Sequence, residues 1–506
     1  MKKLLVIIGS LIGLWLVVAI LSYKALPDNS QRQASYHLLP NPEGRISKPL
    51  WEATLAHEGK SGIYPLSNSR DAFLARLALV ENAERSLDVQ YYIWHDDISG
   101  RLLAQRLWAA AERGVRVRLL LDDHTMAGMD PLLVTLNQHP NLEVRLFNPY
   151  MQRSFRPLGY LSDFFRLNRR MHNKSLTADS LVSIIGGRNI GDEYFEATSG
   201  VMFADLDVAV VGQSALATAK VFDEYWNSQS SYPVEKIIGE VELLDLSVLS
   251  PEAEGYLQLL AQSDFIQYLQ QGNMPLIWEK TQLIYDHPDK VLNQANDELI
   301  FFQHIMPLMM AAEHEVVLVS PYFVPTAQGV AFLSALAEQG KAVHILTNSL
   351  AANDVAVVHS GYARYREELL DSGVHLYELK SQSTVKPSKI RTVYDGSGAS
   401  LHAKTFAVDR RYVYVGSFNF DPRSAHLNTE MGLLMDSPSL ASQLHGLLSH
   451  GVKEHAYQVV KNEEGKMLWQ TEEQGETVVL TEEPQSAWWR RLQVWVASRL
   501  PVERLL

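Results

Sequence analysis

The chain carries one short motif twice, first as His172-Asn173-Lys174-Ser175-Leu176-Thr177-Ala178-Asp179 and again as His402-Ala403-Lys404-Thr405-Phe406-Ala407-Val408-Asp409. Both copies read His-x-Lys-x-x-x-x-Asp, and they are 230 residues apart, from 172 to 402. Three further pairs have this spacing, namely Gly186 with Gly416, Asn189 with Asn419 and Tyr92 with Tyr322. A constant spacing across separated blocks indicates an internal duplication. Each copy has room for an α/β half of its own.

Strands and helices alternate before each copy of the motif. The first half is predicted to contain a strand over 86–93, a helix over 102–113 and a strand over 115–121. The second half repeats the plan with a strand over 316–323, a helix over 329–339 and a strand over 342–347. A strand, a helix and a strand in this order form a parallel βαβ unit. The predicted fold class is therefore α/β, with a mixed, mostly parallel sheet flanked by helices in each half.

Composition limits the classes of protein that fit. The chain has 506 residues, 46% of them hydrophobic, which is enough for two or three domains with large cores. It has no cysteine, which excludes disulfides, thiol catalysis and thiolate metal sites. The formal net charge of −13 argues against a protein that coats nucleic acid through bulk basicity.

The amino terminus is the one segment that does not look soluble. Lys2 and Lys3 precede an uncharged, mainly aliphatic run over 4–21, which is at the short end of what spans a bilayer. No small-x-small cleavage site follows the run, so an uncleaved membrane anchor is favoured over a signal peptide. The lysines would remain cytoplasmic, although Lys24 at the other end weakens the assignment of the membrane face.

The chain is expected to divide into six segments. They are an anchor or signal-like segment (1–25), a linker or covering arm (26–60), the first α/β half (61–246), a helical insertion (247–297), the second α/β half (298–465) and a carboxy-terminal tail (466–506) with a candidate interfacial helix. The interfacial helix is suggested by the tryptophans and arginines over 488–500, and packing of this helix on the domain is the alternative.

The motif residues suit the chemistry of a phosphodiester. In a strand, residues two positions apart face the same way, so His172 projects with Lys174 and His402 with Lys404. The two ammonium groups would offset the charge on non-bridging phosphate oxygens. One neutral imidazole would attack phosphorus while the other, protonated, donates to the leaving alkoxide.

The aspartates of the motif are predicted to have a structural role. Asp179 and Asp409 stand at odd spacing from their histidines, where the chain turns between two strands. Although they belong to the catalytic motif, they are interpreted as residues that hold the fold through hydrogen bonds.

The duplicated motif, together with 169–174, 186–191 and Gly416-Ser417-Phe418-Asn419-Phe420-Asp421-Pro422-Arg423-Ser424, resembles the phospholipase D superfamily and within it the bacterial cardiolipin synthases of the C type. The resemblance extends from about residue 61 to the carboxyl terminus. It implies that the two halves meet to build one active site at their interface. It also implies that a later carboxylate in each half orients the histidine of that half.

Further site residues follow from this resemblance. Glu430 matches the orienting carboxylate of the second half, and Asp205 is the candidate in the first half, with Asp207 as its substitute. Asn189, Asn419 and Ser417 resemble polar residues that line the phosphate pocket. The resemblance favours His172 as the nucleophile and His402 as acid and then base, although the residues alone leave the two roles open.

The function that the resemblance implies is a membrane-bound phosphatidyl transferase that makes cardiolipin at the bacterial inner membrane. The donor would be phosphatidylethanolamine or phosphatidylglycerol and the acceptor phosphatidylglycerol, through a phosphohistidine. The expected partners are phospholipids and the membrane, and not nucleic acid. A hydrolase that uses water as the acceptor is the alternative, a nuclease fits less well, and a catalytically dead lipid-binding scaffold conflicts with two intact His/Lys pairs.

No metal or cofactor is predicted. Asp122-Asp123-His124 and His95-Asp96-Asp97 contain hard ligands, but both follow strands, where polar loop residues are common. The glycines over 186–191 lack the context of a dinucleotide loop. Five arginines interleaved with aromatic residues come just before the first motif, and they fit either a solvated helix or contact with anionic headgroups. They are Arg153, Arg156, Arg166, Arg169 and Arg170.

Overall fold

A computed structural model of the chain describes residues 3, 10, 13, 17–20, 22–44, 47–198, 202–263, 265, 268, 274–353, 355–381, 400–448, 452–500 and 503. Within these residues, the strands form one continuous mixed sheet of 18 strands and a separate sheet of two. The sheet divides into two regions of matching topology, one for each copy of the motif. The prediction of a duplicated α/β fold is confirmed.

The first half contributes nine strands among the described residues. They are β1 (Ser61–Leu66), β2 (Ser86–Tyr91), β3 (Arg116–Asp122), β4 (Leu142–Phe147), β5 (Ser175–Ala178), β6 (Val182–Gly186), β7 (Phe203–Ala204), β8 (Asp207–Gly212) and β9 (Ser231–Pro233). Their order in the main sheet is β1-β8-β6-β5-β2-β3-β4-β9. The neighbours β2, β3 and β4 are parallel, as the predicted βαβ unit requires.

The second half repeats this order. Its strands are β10 (Ile277–Tyr285), β11 (Glu315–Val319), β12 (Ala342–Asn348), β13 (His375–Leu379), β14 (Ser400–Leu401), β15 (Thr405–Val408), β16 (Tyr412–Gly416), β17 (Met431–Asp436), β18 (Ala456–Lys461), β19 (Met467–Glu473) and β20 (Glu476–Leu480). Their order is β10-β17-β16-β15-β11-β12-β13-β18-β19-β20. Thus β19 and β20, which lie in the predicted carboxy-terminal tail, extend the sheet.

Helices connect and cover these strands. They are α1 (Ser47–Ala56), α2 (Ser69–Asn82), α3 (Ile98–Glu112), α4 (Asp130–Asn137), α5 (Pro157–Leu167), α6 (Asp192–Phe195), α7 (Gln213–Trp226), α8 (Pro251–Leu260), α9 (Phe301–Met310), α10 (Thr326–Glu338), α11 (Ala356–Ala363), α12 (Arg366–Asp371), α13 (Pro422–His426), α14 (Pro438–Gly446), α15 (Val452–His455) and α16 (Trp488–Ala497). The parallel pairs β2–β3 and β11–β12 are connected by α3 and α10, as predicted.

The segment 247–297 differs from the expected helical insertion. It contains α8, but its later part forms β10, which pairs with β17 in the same antiparallel manner as β1 pairs with β8. This strand is therefore the second half's counterpart of β1, and it also pairs with β1, joining the two regions of the sheet. The prediction of a helical segment is wrong for this stretch. Its polar residues, Glu279, Lys280 and Gln282, obscure the hydrophobic pattern by which a strand is recognised.

Each half has its own buried core, and a third core lies between the halves. Val210 of β8 and Ile185 of β6 belong to this shared cluster, together with Val317 of β11, Ala403 and Val415. Apolar burial between the two halves removes surface from water and so fixes one half against the other. Ala403, between His402 and Lys404, places the second motif copy at this junction.

The predicted amino-terminal anchor lies mostly outside the described residues. Among those that are described, no helix has both the length and the apolar character needed to cross a bilayer. The arm that follows packs on the first half, where the Asn29 amide donates to the carbonyl of Ser231 at 2.6 Å. Arg118 likewise donates to the carbonyl of Ser35 at 2.9 Å.

Candidate active site

The two motif histidines lie in extended segments that lead into strands. β5 begins at Ser175 and β15 at Thr405, so His172, Lys174 and their counterparts precede the strands in which they were expected. The physical reason is that these segments pair with the opposite half. The backbone N–H of His172 donates to the carbonyl of Thr429 at 2.9 Å.

The second motif copy is held in the same crossed way. The N–H of His402 donates to the carbonyl of Ala204 at 2.8 Å, and β14 runs parallel to β7 of the first half. On the other side, Met171 forms an isolated parallel bridge with Thr429. Each histidine segment is thus backbone-paired with the carboxylate-bearing segment of the other half.

This pairing decides which carboxylate meets which histidine. His172 Nδ1 lies 2.9 Å from Glu430 Oε2, and His402 Nδ1 lies 2.6 Å from Asp205 Oδ2. The expectation that each carboxylate contacts the histidine of its own half is wrong, because both pairs cross the interface. With a carboxylate as the acceptor, Nδ1 carries the proton and Nε2 of each ring is left to act on a ligand.

The two lysines lie beside the histidines. Lys174 Nζ donates to the carbonyl of His172 at 2.6 Å, and Lys404 Nζ is 2.8 Å from His402 Nδ1 and 3.0 Å from Nε2. His402 Nδ1 cannot donate a hydrogen bond to Asp205 and accept one from Lys404 at the same time. Because Nδ1 donates its proton to the Asp205 carboxylate, it does not accept from Lys404. The Lys404 contact is therefore a close approach of an ammonium to the ring.

Burial and these cations shift the pKa values of the site. The pKa of His172 is well below its ordinary value, because the ring is buried and lies near the charges of Lys174 and Lys404. The pKa of His402 is also lowered, by burial and by Lys404, but the charge of Asp205 opposes the shift. The environment therefore favours neutral imidazole most strongly at His172.

The pKa values of the two carboxylates, Glu430 and Asp205, are shifted in opposite directions. Burial raises the pKa of Glu430 to about 7 against the opposing charge of Lys174. Burial would also raise the pKa of Asp205, but its charge attraction to and hydrogen bond with His402 hold it at about 2. Asp205 is therefore ionised at neutral pH and stabilises positive charge on His402 more than Glu430 does on His172.

Glu430 is fixed by residues that include one predicted for the phosphate pocket. The hydroxyl of Ser417 donates to its carboxylate, and the N–H of Met431 donates to Ser417 Oγ at 3.0 Å. The backbone N–H of Glu430 donates to Asp286 Oδ2 at 2.8 Å. The Ser417 hydroxyl is therefore used to hold the Glu430 carboxylate.

Asp286 and Lys290 are two residues at this site that the sequence analysis missed. Lys290 Nζ donates to Asp286 Oδ2 at 2.8 Å and to the carbonyl of Ser424 at 2.9 Å, and both side chains are buried. The sequence holds a signal for this pair, because an acid and a base four residues apart often interact. Its importance arises from tertiary contact with Glu430, which sequence spacing does not show.

The choice between the two first-half aspartates is settled by their contacts. Asp207 accepts from Arg76 Nη2 at 2.9 Å and from Arg188 Nη1 at 3.2 Å, and all three groups are buried. Asp207 is thereby committed to two guanidinium groups inside the first half. Asp205 is the residue that reaches a motif histidine.

Both asparagines with matching spacing are buried, and Asn189 is linked to one motif histidine through a tyrosine. Asn189 accepts from the N–H of Ile93 and donates to Tyr194 Oη, each at 3.1 Å. The Tyr194 ring then meets the edge of His402 at 5.2 Å between centroids. In Asn419 the side-chain oxygen is buried and has no hydrogen-bond partner among the described residues.

The motif aspartates turn away from the imidazoles. Asp179 accepts from the N–H groups of Glu84, Arg85 and Ser86 at 2.7 to 2.9 Å. Asp409 accepts from three N–H groups just before and at the start of β11, also at 2.7 to 2.9 Å. Each aspartate therefore ties the turn after the motif strand to the start of the strand that pairs with it in antiparallel orientation.

The candidate metal ligands already form ion pairs and hydrogen bonds within the fold. His95, Asp97 and Glu193 place one ligand atom each within 4.8 Å of one another. His95 Nδ1 is 3.3 Å from Glu193 Oε1, however, and Asp97 caps α3 by accepting from Gly100 at 2.9 Å. In the other cluster, Asp122 accepts from the N–H of Met171 at 2.8 Å.

The basic cluster before the first motif is largely neutralised within the fold. Arg153 contacts Asp123 and Asp130, Arg156 contacts Asp123, Arg166 contacts Asp163, Arg170 contacts Asp122, and Arg169 donates to the carbonyl of Lys290. These contacts indicate that the arginines stabilise the fold and do not form an open patch of positive charge. The helix α16 buries Val494 and Ala497 and exposes all three of its tryptophans.

Two α/β halves that share a site of two crossed histidine–carboxylate pairs define the phospholipase D class of fold. The family model described as "Cardiolipin synthase, PLD-like domain" matches residues 77–226 and 305–450. The chain therefore belongs to the cardiolipin synthase family of phospholipase D-like enzymes.

Individual proteins agree with this assignment. The chain is 47% identical to Cardiolipin synthase C of Escherichia coli over 471 residues, covering 91% of this chain and all of that protein. It is 32% identical to an uncharacterized protein of Helicobacter pylori over 452 residues, covering 87% and 88% of the two chains. The crystal structure of phosphatidylserine synthase from Haemophilus influenzae superposes with a TM-score of 0.57 at 16% identity, covering 90% of this chain and all of that one. This last likeness concerns the fold.

Proposed function

We propose that the protein synthesises cardiolipin by moving a phosphatidyl group from a donor phospholipid to the free glycerol hydroxyl of phosphatidylglycerol. The observation that carries the proposal is the pair of crossed histidine–carboxylate contacts with a lysine beside each ring. The likeness to Cardiolipin synthase C of E. coli along nearly the whole chain supports a lipid alcohol as the acceptor. The donor is phosphatidylethanolamine or a second phosphatidylglycerol.

In the first step, neutral His172 attacks the donor phosphorus through Nε2. The P–O bond to the headgroup breaks, and protonated His402 donates its proton to the departing alkoxide, releasing ethanolamine or glycerol. Lys174 and Lys404 offset the charge of the non-bridging oxygens. The shifts described above favour these roles, since His172 has the more strongly lowered pKa and ionised Asp205 supports the cation of His402.

In the second step, neutral His402 takes the proton of the phosphatidylglycerol hydroxyl. The resulting oxygen nucleophile attacks phosphorus, the P–N bond to His172 breaks, and cardiolipin is released. Water in place of the lipid alcohol would give phosphatidic acid. The family and the apolar amino-terminal run support a site of action at the bacterial inner membrane.

Mass spectrometry of the lipid products tests this function. The purified protein would be mixed with phosphatidylglycerol vesicles, with and without isotope-labelled phosphatidylethanolamine, in the presence of EDTA. Labelled cardiolipin identifies phosphatidylethanolamine as the donor, and unlabelled cardiolipin in both mixtures identifies phosphatidylglycerol. Phosphatidic acid without cardiolipin would replace the proposal with a hydrolase.

The phosphohistidine is tested with the acid–base partner removed. In a His402→Gln variant given a phosphodiester with a good leaving group, we expect a phosphatidyl adduct on the peptide that contains His172, because resolution needs the missing base. His172→Gln under the same conditions is the control and should give no adduct. An adduct on His402 in the His172→Gln variant would reverse the two roles.

A further inference from the structure

Helix α5 presents an unusual set of apolar side chains to solvent. Phe155 just before the helix, Leu161, Phe164 and Phe165 are exposed, and Phe165 has 86% of its surface accessible. Gly159 and Leu167 are the buried residues of the helix. Neighbouring exposed apolar residues of this size mark an interaction surface more often than an ordinary solvated helix.

An unbroken series of ring contacts connects this surface to His172. From the outside inward, it runs Phe165–Phe164 (5.7 Å), Phe164–Tyr160 (6.2 Å), Tyr160–Tyr150 (5.9 Å), Tyr150–His124 (6.0 Å), His124–Tyr92 (6.1 Å) and Tyr92–His172 (4.9 Å), measured between ring centroids. The helix also meets the other half, because Arg423 donates to Asn168 at its carboxyl end at 2.9 Å. The exposed face is therefore linked to the reacting imidazole through a continuous series of packed side chains.

The amino-terminal segment reaches the same place. The apolar run over 4–21 ends immediately before Ser22, and the carbonyl of Ser22 accepts a hydrogen bond from the side chain of Gln152. Gln152 lies three residues before Phe155. A segment that enters a bilayer from here would bring the exposed face of α5 to the bilayer surface.

We propose that α5 and Phe155 form the surface that docks on the bilayer and so brings His172 close to the phospholipid headgroups. The inference rests on the proposed function, because it assumes that the substrate is drawn from a bilayer. The occupant is the apolar–polar boundary of a phospholipid bilayer, where aromatic side chains are favoured. Since the nearby arginines are paired within the fold, docking depends on apolar insertion and not on the charge of the lipids.

The test compares bilayer and monomeric substrates with the full chain. A Phe164→Ser/Phe165→Ser variant should float less with phosphatidylcholine–phosphatidylglycerol vesicles. Its ratio of cardiolipin formation on vesicles to that on short-chain monomeric phosphatidylglycerol should fall about tenfold, because two apolar side chains no longer insert. Raising the salt concentration should change vesicle binding little.

Two matched variants make the test specific. Leu243→Ser/Val248→Ser removes two other exposed apolar side chains, 53% and 74% accessible, and should leave flotation and the activity ratio as in the wild type. Trp488→Ser/Trp495→Ser removes tryptophans of α16. A loss of flotation with the α16 variant but not with the α5 variant would overturn the inference, as would an unchanged activity ratio in the α5 variant.

The outcome is separable from that of the proposed function. If the wild type makes no cardiolipin from either form of substrate, the proposed function fails, while flotation still reports on docking. If the wild type makes cardiolipin from both forms and the α5 variant matches it on vesicles, only the docking surface is disproved.

Discussion

Lys174 is the residue whose charge is predicted to keep His172 unprotonated. Its ammonium is, after burial, the main cause of the lowered pKa of His172. In a Lys174→Met variant we expect the pKa of His172 to rise, because a neighbouring positive charge is removed. Histidine-selective NMR titration measures this directly, whether or not the variant turns over substrate.

The same experiment carries its own control. Lys220→Met, which removes an exposed lysine on α7, should leave the His172 titration unchanged. A Lys174→Met variant with an unchanged His172 titration would show that burial alone sets the pKa. For the wild type, activity on the acid side should persist below pH 6.5, the ordinary pKa of histidine, and fall only as His172 becomes protonated.

Asp179 is predicted to stabilise the fold without taking part in the chemistry. An Asp179→Asn variant keeps only one side-chain oxygen for three backbone donors, so we expect the free energy of unfolding to fall by about 1–3 kcal/mol. Urea unfolding followed by circular dichroism measures this loss. The kcat of the folded variant should stay close to that of the wild type.

The exposed Asp245 serves as the comparison for Asp179. Within the described part of the chain, its carboxylate accepts hydrogen bonds from the N–H and hydroxyl of Ser247 in its own turn, so Asp245→Asn should change stability much less. A large loss of kcat in Asp179→Asn without loss of stability would place that carboxylate in the reaction after all.

At the level of the secondary-structure elements, the turn after β10 holds Glu430 in place through Asp286 and Lys290. Replacing Lys290 by Met leaves the carboxylate of Asp286 buried without its cation, and breaking such a pair typically costs about 3–5 kcal/mol. We expect Lys290→Met to unfold at a much lower urea concentration. The kcat of the folded fraction should fall more than KM rises, because Glu430 and through it His172 are displaced.

A double variant separates charge from packing at this pair. Asp286→Asn/Lys290→Met removes both charges and should recover part of the stability lost in Lys290→Met, since no unpaired carboxylate remains. If adding Asp286→Asn to Lys290→Met lowered the free energy of unfolding by as much as Asp286→Asn does alone, the two effects would be additive. The two side chains would then not interact. The hydrogen bond of Asp286 to the Glu430 N–H would then be its main contribution.

The sequence predicts local features of these elements well and tertiary ones less well. The alternation of residues over 86–93 and 342–347 places β2 and β12 correctly, although the polar residues Asp88 and Gln90 of β2 are buried as well. It fails at β10, where the polar side chains of a strand joining the two halves resemble those of a loop or insertion. Likewise the sequence supplies His172 and Glu430 as site residues, but their contact depends on how two halves dock.

The whole molecule is organised by that docking, in which each half completes the site of the other. Backbone pairing of Thr429 with His172 and of Ala204 with His402 forces both carboxylates across the interface. Two halves of this kind, separated from each other, would each hold a histidine without its carboxylate. The duplication thus produces one shared site and not two independent ones.

The histidine–carboxylate pairs cross between the halves, and this arrangement predicts a result that pairs within one half would not give. Asp205→Asn removes the negative charge beside His402, so we expect the pKa of His402 in the second half to fall further. The pKa of His172, which shares the first half with Asp205, should change much less. NMR titration of both imidazoles in one sample compares the two effects directly.

Glu430→Gln provides the reciprocal experiment and the sharper contrast. Its neutral amide keeps the size of the side chain but alters the hydrogen bond at His172 Nδ1, so the His172 resonances should move while those of His402 move less. Two variants that each perturb the histidine of the opposite half would establish the crossed arrangement. If Asp205→Asn instead shifted His172, and Glu430→Gln shifted His402, each half would hold its own pair and the docking of the two halves described here would be wrong.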